Sequence, residues 1–245
     1  VRYLVISDIH ANWEALEAVL ADAEGDYERI VCCGDLVGYG ADPNRVVEWS
    51  RAHVVAVVRG NHDKAAVGLE SLDWFNPAAR EAAEWTAGVL TPENHSYLRS
   101  LPKGPKRVGE FELVHGSPAD EDEYLMWVAP EDVLPFVSCR VAFFGHTHFQ
   151  GGFRLSRVQA QRLAAPAAEA RRLVVGLDPG WTYLINPGSV GQPRDGDPRA
   201  AYAIYDDERG EVELRRAAYA VEVAQAKIRR AGLPDVLAER LAGGC

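Results

Sequence analysis

Residues 1–10 read Val-Arg-Tyr-Leu-Val-Ile-Ser-Asp-Ile-His: an apolar run over residues 2–7 that breaks off into an aspartate and, two residues on, a histidine. Short apolar, β-branched runs of this kind suit buried strands, and polar groups at the end of such a strand face the crevice where open α/β sheets bind ligands. Outward from it, residues 12–23 set Trp13, Leu16, Val19 and Leu20 at helical spacing behind Asn12, a suitable N-cap. Residues 29–33 read as a second strand, residues 43–52 as a helix behind Asp42, and the β-branched run 54–58 as a third strand buried on both faces. This βαβαβ order predicts a parallel sheet covered by helices.

The same punctuation recurs along the chain. Asp8 and His10 follow the first strand, Asp35 the second, and Asn61-His62-Asp63 the third; His115 follows Leu113-Val114, and His146 and His148 follow residues 141–144. Five of the seven histidines thus fall at strand ends, leaving out His53 and His95. Taken singly, Asp8-Ile9-His10 reads as a helix cap and Gly34-Asp35 as a turn. Together these Asp, Asn and His groups form a donor set suited to manganese, iron, zinc or nickel. Asp8/His10 and His146/His148 are i, i+2 pairs, which an extended segment would aim in one direction. The set exceeds one zinc site and suits two metals sharing a carboxylate.

Composition narrows the field. The 245 residues are 47% hydrophobic and 25% charged, which predicts an ordered core rather than a disordered chain. No run reaches the roughly 18 apolar residues of a membrane span, and the first apolar stretch is too short for a signal-peptide core, so a cytoplasmic protein is expected. A net charge of −10 opposes a surface for long nucleic acids, whose affinity comes from neutralised phosphates. Cys32, Cys33, Cys139 and Cys245 form no CxxC pair and read as free thiols.

Residues 64–105 read as an irregular helical insertion, and residues 130–137 as a short helix. Strands are expected near 108, 111–115, 141–144, 152–157, 173–175, 183–186, 201–205 and 212–216, the last two joined as a hairpin. The Ala-rich stretch 163–170 reads as a loop. Val221, Ala224, Ile228 and Ala231 share a helix face, and Pro234 opens a last short helix. Trp74, Phe75, Trp85, Tyr124, Met126 and Trp127 read as core residues, with an aromatic wall above the metals as the alternative. The acidic run 120–123 reads as a solvated loop, or as a screen against highly charged substrates.

The series Asp8-Ile9-His10, Gly34-Asp35, Gly60-Asn61-His62-Asp63, His115-Gly116 and Gly145-His146-Thr147-His148 resembles the calcineurin-like metallophosphoesterase superfamily. The stretch Asn186-Pro187-Gly188-Ser189 with the following Arg194 is similar to its bacterial phosphodiesterase branch. The resemblance implies one α/β domain over residues 1–245, a four-layer αββα sandwich of two mixed β-sheets flanked by helices, with C-terminal helices at about 219–242. It assigns one metal to Asp8, His10, Asp35 and His148 and a second to Asp35, Asn61, His115 and His146, with Asp35 bridging. It places His62 near the leaving oxygen, oriented by Asp63.

The activity so implied is binuclear, metal-dependent hydrolysis of small phosphodiesters or phosphomonoesters by in-line attack of a metal-bridging hydroxide, with manganese the expected activator. Asn61 and Arg194 are expected on the substrate phosphate, an exposed Arg194 paired to Asp195 or Asp197 being the alternative. Tyr39 stands where the protein-phosphatase and dinucleoside-tetraphosphatase branches look to carry a phosphate-holding arginine, which weighs against both. A non-catalytic metal-binding scaffold is the remaining alternative. The expected partner is a small phosphoester, with neither long nucleic acid nor membrane.

Overall fold

Buried strands alternating with amphipathic helices produce two six-stranded sheets stacked face to face, in a computed structural model that describes residues 1–245. In chain order the elements are β1 (Arg2–Ile6), α1 (Trp13–Asp22), β2 (Arg29–Cys32), α2 (Pro43–His53), β3 (Val54–Val57), α3 (Asn61–Ala66), α4 (Pro77–Val89) and α5 (Pro92–Ser100). They continue as β4 (Lys106–Val108), β5 (Phe111–Leu113), α6 (Pro130–Val133), β6 (Val141–Phe143), β7 (Gly151–Leu155), β8 (Ala160–Leu163) and β9 (Arg172–Gly176). The chain closes with β10 (Thr182–Asn186), β11 (Ala200–Asp206), β12 (Glu211–Ala217), α7 (Val221–Arg230) and α8 (Asp235–Gly243).

The first sheet is ordered β3-β2-β1-β11-β12-β9 and the second β4-β5-β6-β10-β7-β8. Each contains one run of three parallel strands, β1 to β3 in the first and β5, β6 and β10 in the second. Between the sheets, Tyr3, Val5 and Val31 meet Phe111, Phe143 and Tyr183, with the Tyr3 and Phe111 rings edge to face at 4.9 Å. On the outer face of the first sheet, Leu4 and Ile6 bury against Leu16 and Val19 of α1 and Val46 and Val47 of α2. Each such side chain contributes about 1.5–3 kcal/mol on leaving water. The second sheet is covered more thinly, its Ala142, Phe144 and Leu184 meeting Val133 of the one-turn α6 and Leu125. No helix is long and apolar enough to cross a membrane.

Two sequence expectations change. The run 54–58 is not buried on both faces, because β3 lies at a sheet edge and Val55 is 57% exposed. The strand β8, at the opposite sheet's edge, carries Gln161 and Arg162 and no apolar alternation, which hid it from a pattern reading. Helix α4 packs Ala79 and Ala82 against Ile228 of α7 and Leu237 and Leu241 of α8, and Tyr39 joins the same cluster. The C-terminal helices thereby brace the insertion against the strand ends, helped by ion pairs from Lys227 to Asp42 and Glu14.

Candidate metal centre

Six parallel strands, three from each sheet, point their C-terminal ends at one place, and each delivers part of the site. The loop after β1 brings Asp8 and His10, that after β2 Asp35, and the first turn of α3, just past β3, Asn61 and His62. The loop after β5 brings His115, that after β6 His146 and His148, and that after β10 residues 187–194. Asp8, His10, Asp35 and His148 each offer a ligand atom within 4.8 Å of the others, and so do Asp35, His115 and His146. All are buried. Asn61 Oδ1 lies 3.2 Å from His115 Nε2 and adds an amide oxygen to the second group.

The backbone here is unusual. Asp8, His10, Ala11, Asp35, Tyr39, His146 and His148 are the chain's non-glycine residues at positive φ, and five of the seven belong to the donor groups. The i, i+2 pairs are therefore not aimed by an extended strand, as the spacing suggested, but by left-handed turns just past the strand ends. Such conformations cost about 1–3 kcal/mol each and persist only where the surroundings over-determine them. They do so here: His10 N–H donates to Asp35 O (3.0 Å) and Ala11 N–H to Leu36 O (2.9 Å), zipping two ligand loops together. Ser189 Oγ and Gly191 N hold the Asp8 carbonyl at 2.8 and 2.9 Å, and Asn186 Nδ2 holds the Gly145 carbonyl at 3.0 Å, so the Asn-Pro-Gly-Ser segment buttresses both ligand turns. Glycine is required at 60 and 145 by close approach, since a Cβ there would collide with the Asp35 and Asp8 carboxylates.

Hydrogen bonds set the imidazole tautomers. Nδ1 of His10, His115 and His148 each meets a backbone carbonyl, of Val37, Cys33 and Gln192 respectively, so each Nδ1 carries its proton and turns Nε2 inward. His146 is reversed: its Nε2 donates to Asp122 O at 3.1 Å, leaving Nδ1 for the site. The His10 and His148 Nε2 atoms stand 3.1 Å apart beside the Asp8 and Asp35 carboxylates. Burial pushes the His10 pKa well down, so its inward nitrogen presents a lone pair. Converging lone pairs and ionised carboxylates repel one another without a cation between them. This donor set fits divalent metal ions in both groups, with Asp35 common to the two.

The electrostatics agree with that need for positive charge. Burial alone would raise Asp8 and Asp35, but the surrounding imidazoles hold both below the ordinary carboxylate range. Burial alone would lower His115, yet Asp35 and Asp8 carry it up to about 10. Asp35 divides its duties: Oδ1 accepts from His62 N at 2.9 Å, while Oδ2 faces His10 and His115.

His62 is enclosed by the rings of Tyr39, Phe75 and His10, with centroids at 4.3, 5.1 and 4.9 Å, and burial presses its pKa down to about 4. Asp63 does not orient it as expected. The Asp63 carboxylate accepts from the backbone N–H groups of Asp35, Leu36 and Gly60 at 2.9–3.0 Å, and His62 Nδ1 has no partner. As the third residue of α3, Asp63 turns its short side chain back to the amides around the helix start rather than to the neighbouring ring, and so anchors the Asp35 turn.

Arg194 is not the exposed ion pair weighed as an alternative: Asp195 pairs with Arg216 and Asp197 with Arg199. Its Nη2 instead donates to Tyr39 Oη at 3.1 Å and Gln192 Oε1 at 3.0 Å. A guanidinium from residue 194 thus stands against the residue that replaces the expected arginine. The acidic run is a solvated loop at Asp120, Asp122 and Glu123 but is anchored at Glu121, which is buried against Arg59 and Lys64, and Asp122 also pairs with Lys64. Lys64 was missed as a site residue, whereas Asp122 and Tyr124 entered only through the alternative readings of the acidic run and the aromatic residues; the Tyr124 ring lies 3.8 Å from that of His146. Their only sequence signal was a lysine and an acidic run placed near motif residues.

A fold of two mixed sheets with this shared-carboxylate donor set defines a metallophosphoesterase, a class of metal-dependent phosphoric ester hydrolases. The chain belongs to the calcineurin-like phosphoesterase superfamily, whose domain matches residues 1–210. It is 40% identical to an uncharacterized protein of Methanocaldococcus jannaschii over 97% of this chain and 96% of that one. The crystal structure of a metallophosphoesterase from Sphaerobacter thermophilus superposes with a TM-score of 0.84 at 41% identity, covering 100% and 99% of the two chains. A hypothetical protein from Pyrococcus horikoshii shares the fold, with a TM-score of 0.76 at 19% identity over 100% and 98%.

Proposed function

We propose that the protein hydrolyses small phosphodiesters or phosphomonoesters at a binuclear centre held by Asp8, His10, Asp35 and His148 on one side and Asp35, Asn61, His115 and His146 on the other. The observation that carries the reading is the pair of buried donor groups sharing Asp35. Divalent ions bound there supply Lewis acidity, lowering the pKa of a water and neutralising phosphoryl charge. Manganese, iron, zinc and nickel all suit the donors.

The chain's own residues do the rest. Asn61, fixed at the N-terminus of α3, offers its amide to a phosphoryl oxygen. Arg194 adds a guanidinium, and burial keeps the Tyr39 hydroxyl neutral, so that it accepts from Arg194 and donates its own proton onward. His62 protonates the leaving oxygen. A neighbouring anionic substrate favours the imidazolium and opposes the burial that lowers the His62 pKa in its absence.

Metal-stripped protein reloaded with each of the four ions, assayed side by side on bis(p-nitrophenyl) phosphate and p-nitrophenyl phosphate, tests the reading. Turnover with at least one metal is expected, and the faster substrate identifies the ester class. Two bound ions without hydrolysis of either substrate would favour a scaffold.

A further inference from the structure

Beside Asn61, His62 and His146 opens a cavity of about 260 Å³. Two segments distant in sequence wall it with aromatic rings: Trp74 and Phe75 ahead of α4, and Tyr124 after the acidic run. Trp74 is 89% exposed and Tyr124 55%, so neither is a core residue, as the aromatic spacing had suggested. Exposed rings beside buried polar chemistry are costly to leave in water and gain by stacking on a flat partner.

The polar lining narrows that partner further. Glu70 and Asp122 contribute carboxylates that share the Lys64 ammonium at 2.9 and 2.6 Å and outnumber it, so they disfavour a second anionic group, and Asn76 offers its Nδ2 while its Oδ1 caps α4 through Ala79 N. The volume lies just below the roughly 300–1,000 Å³ of ligand pockets and suits one ring system. Resting on the phosphoester reading above, we infer that this cavity is a nucleobase subsite. The substrate would be a mononucleotide ester whose phosphate lies on the metal centre, while its base stacks on Trp74 and Tyr124 and its exocyclic amino group meets Glu70 or Asp122.

Matched substrate pairs with and without a base test this on the metal-loaded protein. Adenosine 5′-monophosphate is compared with ribose 5-phosphate, and the p-nitrophenyl ester of thymidine 5′-monophosphate with methyl p-nitrophenyl phosphate. The base-bearing member should have the higher kcat/KM, and Trp74→Ala should reduce that ratio by about 10-fold, the scale of one lost base stack. Quenching of tryptophan fluorescence by adenosine, measured without turnover, should weaken in the same variant. Equal kcat/KM within both pairs, or a ratio untouched by Trp74→Ala, overturns the subsite while leaving the hydrolase reading intact. No turnover of any ester, with adenosine quenching still dependent on Trp74, keeps the subsite and overturns the hydrolase reading. A 5′-phosphorylated oligonucleotide serves as a third arm; turnover above that of the mononucleotide would replace a free nucleotide with a strand end.

Discussion

The floor of the site and its rim are built on opposite principles. On the floor, Asp8, Asp35 and the four donor histidines are buried and hydrogen-bonded, and all but His115 are held in left-handed turns. On the rim, Trp74 and Tyr124 are exposed, and the acidic segment that carries Tyr124 is tied down by Arg59 and Lys64. The contrast separates two tasks. Chemistry needs donors fixed to within a fraction of an ångström, which burial and redundancy provide, whereas selectivity is set by side chains that can change without unsettling those donors.

Replacing the shared ligand presses hardest on that division. Asp35→Ala removes the carboxylate common to both donor groups and the acceptor of the His62 N–H, so turnover should fall by on the order of 10³-fold or more. Metal content measured by atomic emission should fall with it; a variant retaining two ions would break the picture of a shared floor.

His62 belongs to the floor by burial and, in the proposed reaction, acts as the general acid. His62→Asn should lower kcat by roughly 10²- to 10⁴-fold while both metals stay bound. The loss should be larger for phenyl phosphate than for p-nitrophenyl phosphate, whose leaving group needs little protonation. Equal losses would remove the general-acid assignment.

Arg194 lies where floor and rim meet. Arg194→Ala should raise KM by about 10-fold or more, the worth of a hydrogen bond to a charged group, with a smaller effect on kcat and none on metal content.

The smallest effect belongs to the rim's anchor. Burial works to raise the Glu121 carboxyl, but Arg59 and Lys64 hold it below its ordinary value. A carboxylate lowered on folding stabilises the fold above its unfolded pKa, and that contribution fades as pH falls through the folded value. Arg59→Ala should therefore lower Tm at pH 7 by a few degrees, and the deficit should shrink below about pH 4. A deficit independent of pH would mean that Arg59 acts by packing alone.

How much of this was legible beforehand follows the same line. Strand-end aspartates and histidines are conspicuous because each breaks an apolar run, so the donors, from Asp8 to His148, could be chosen from the chain alone. The neighbours that aim them could not: the carbonyls of Val37, Cys33 and Gln192 are backbone groups that every residue possesses. Nor did any local pattern reveal that Asp63 would bind the Asp35 turn rather than His62. The aromatic rim read first as core, with a wall above the metals as the alternative, because spacing reports which residues share a face and says nothing of what covers it.

By itself, then, the chain determined the alternation of strands and helices, a parallel run of strands and the kinds of atom at their ends, because periodicity and residue chemistry act locally and survive in one dimension; the second sheet entered only through the family resemblance. Only the tertiary structure decided which nitrogen of each imidazole faces inward, that Arg194 meets Tyr39 across a separation of 155 residues, and that Trp74 and Tyr124 wall one cavity. Those are contacts between segments remote in sequence, set by sheet order and packing rather than by any residue's own preference.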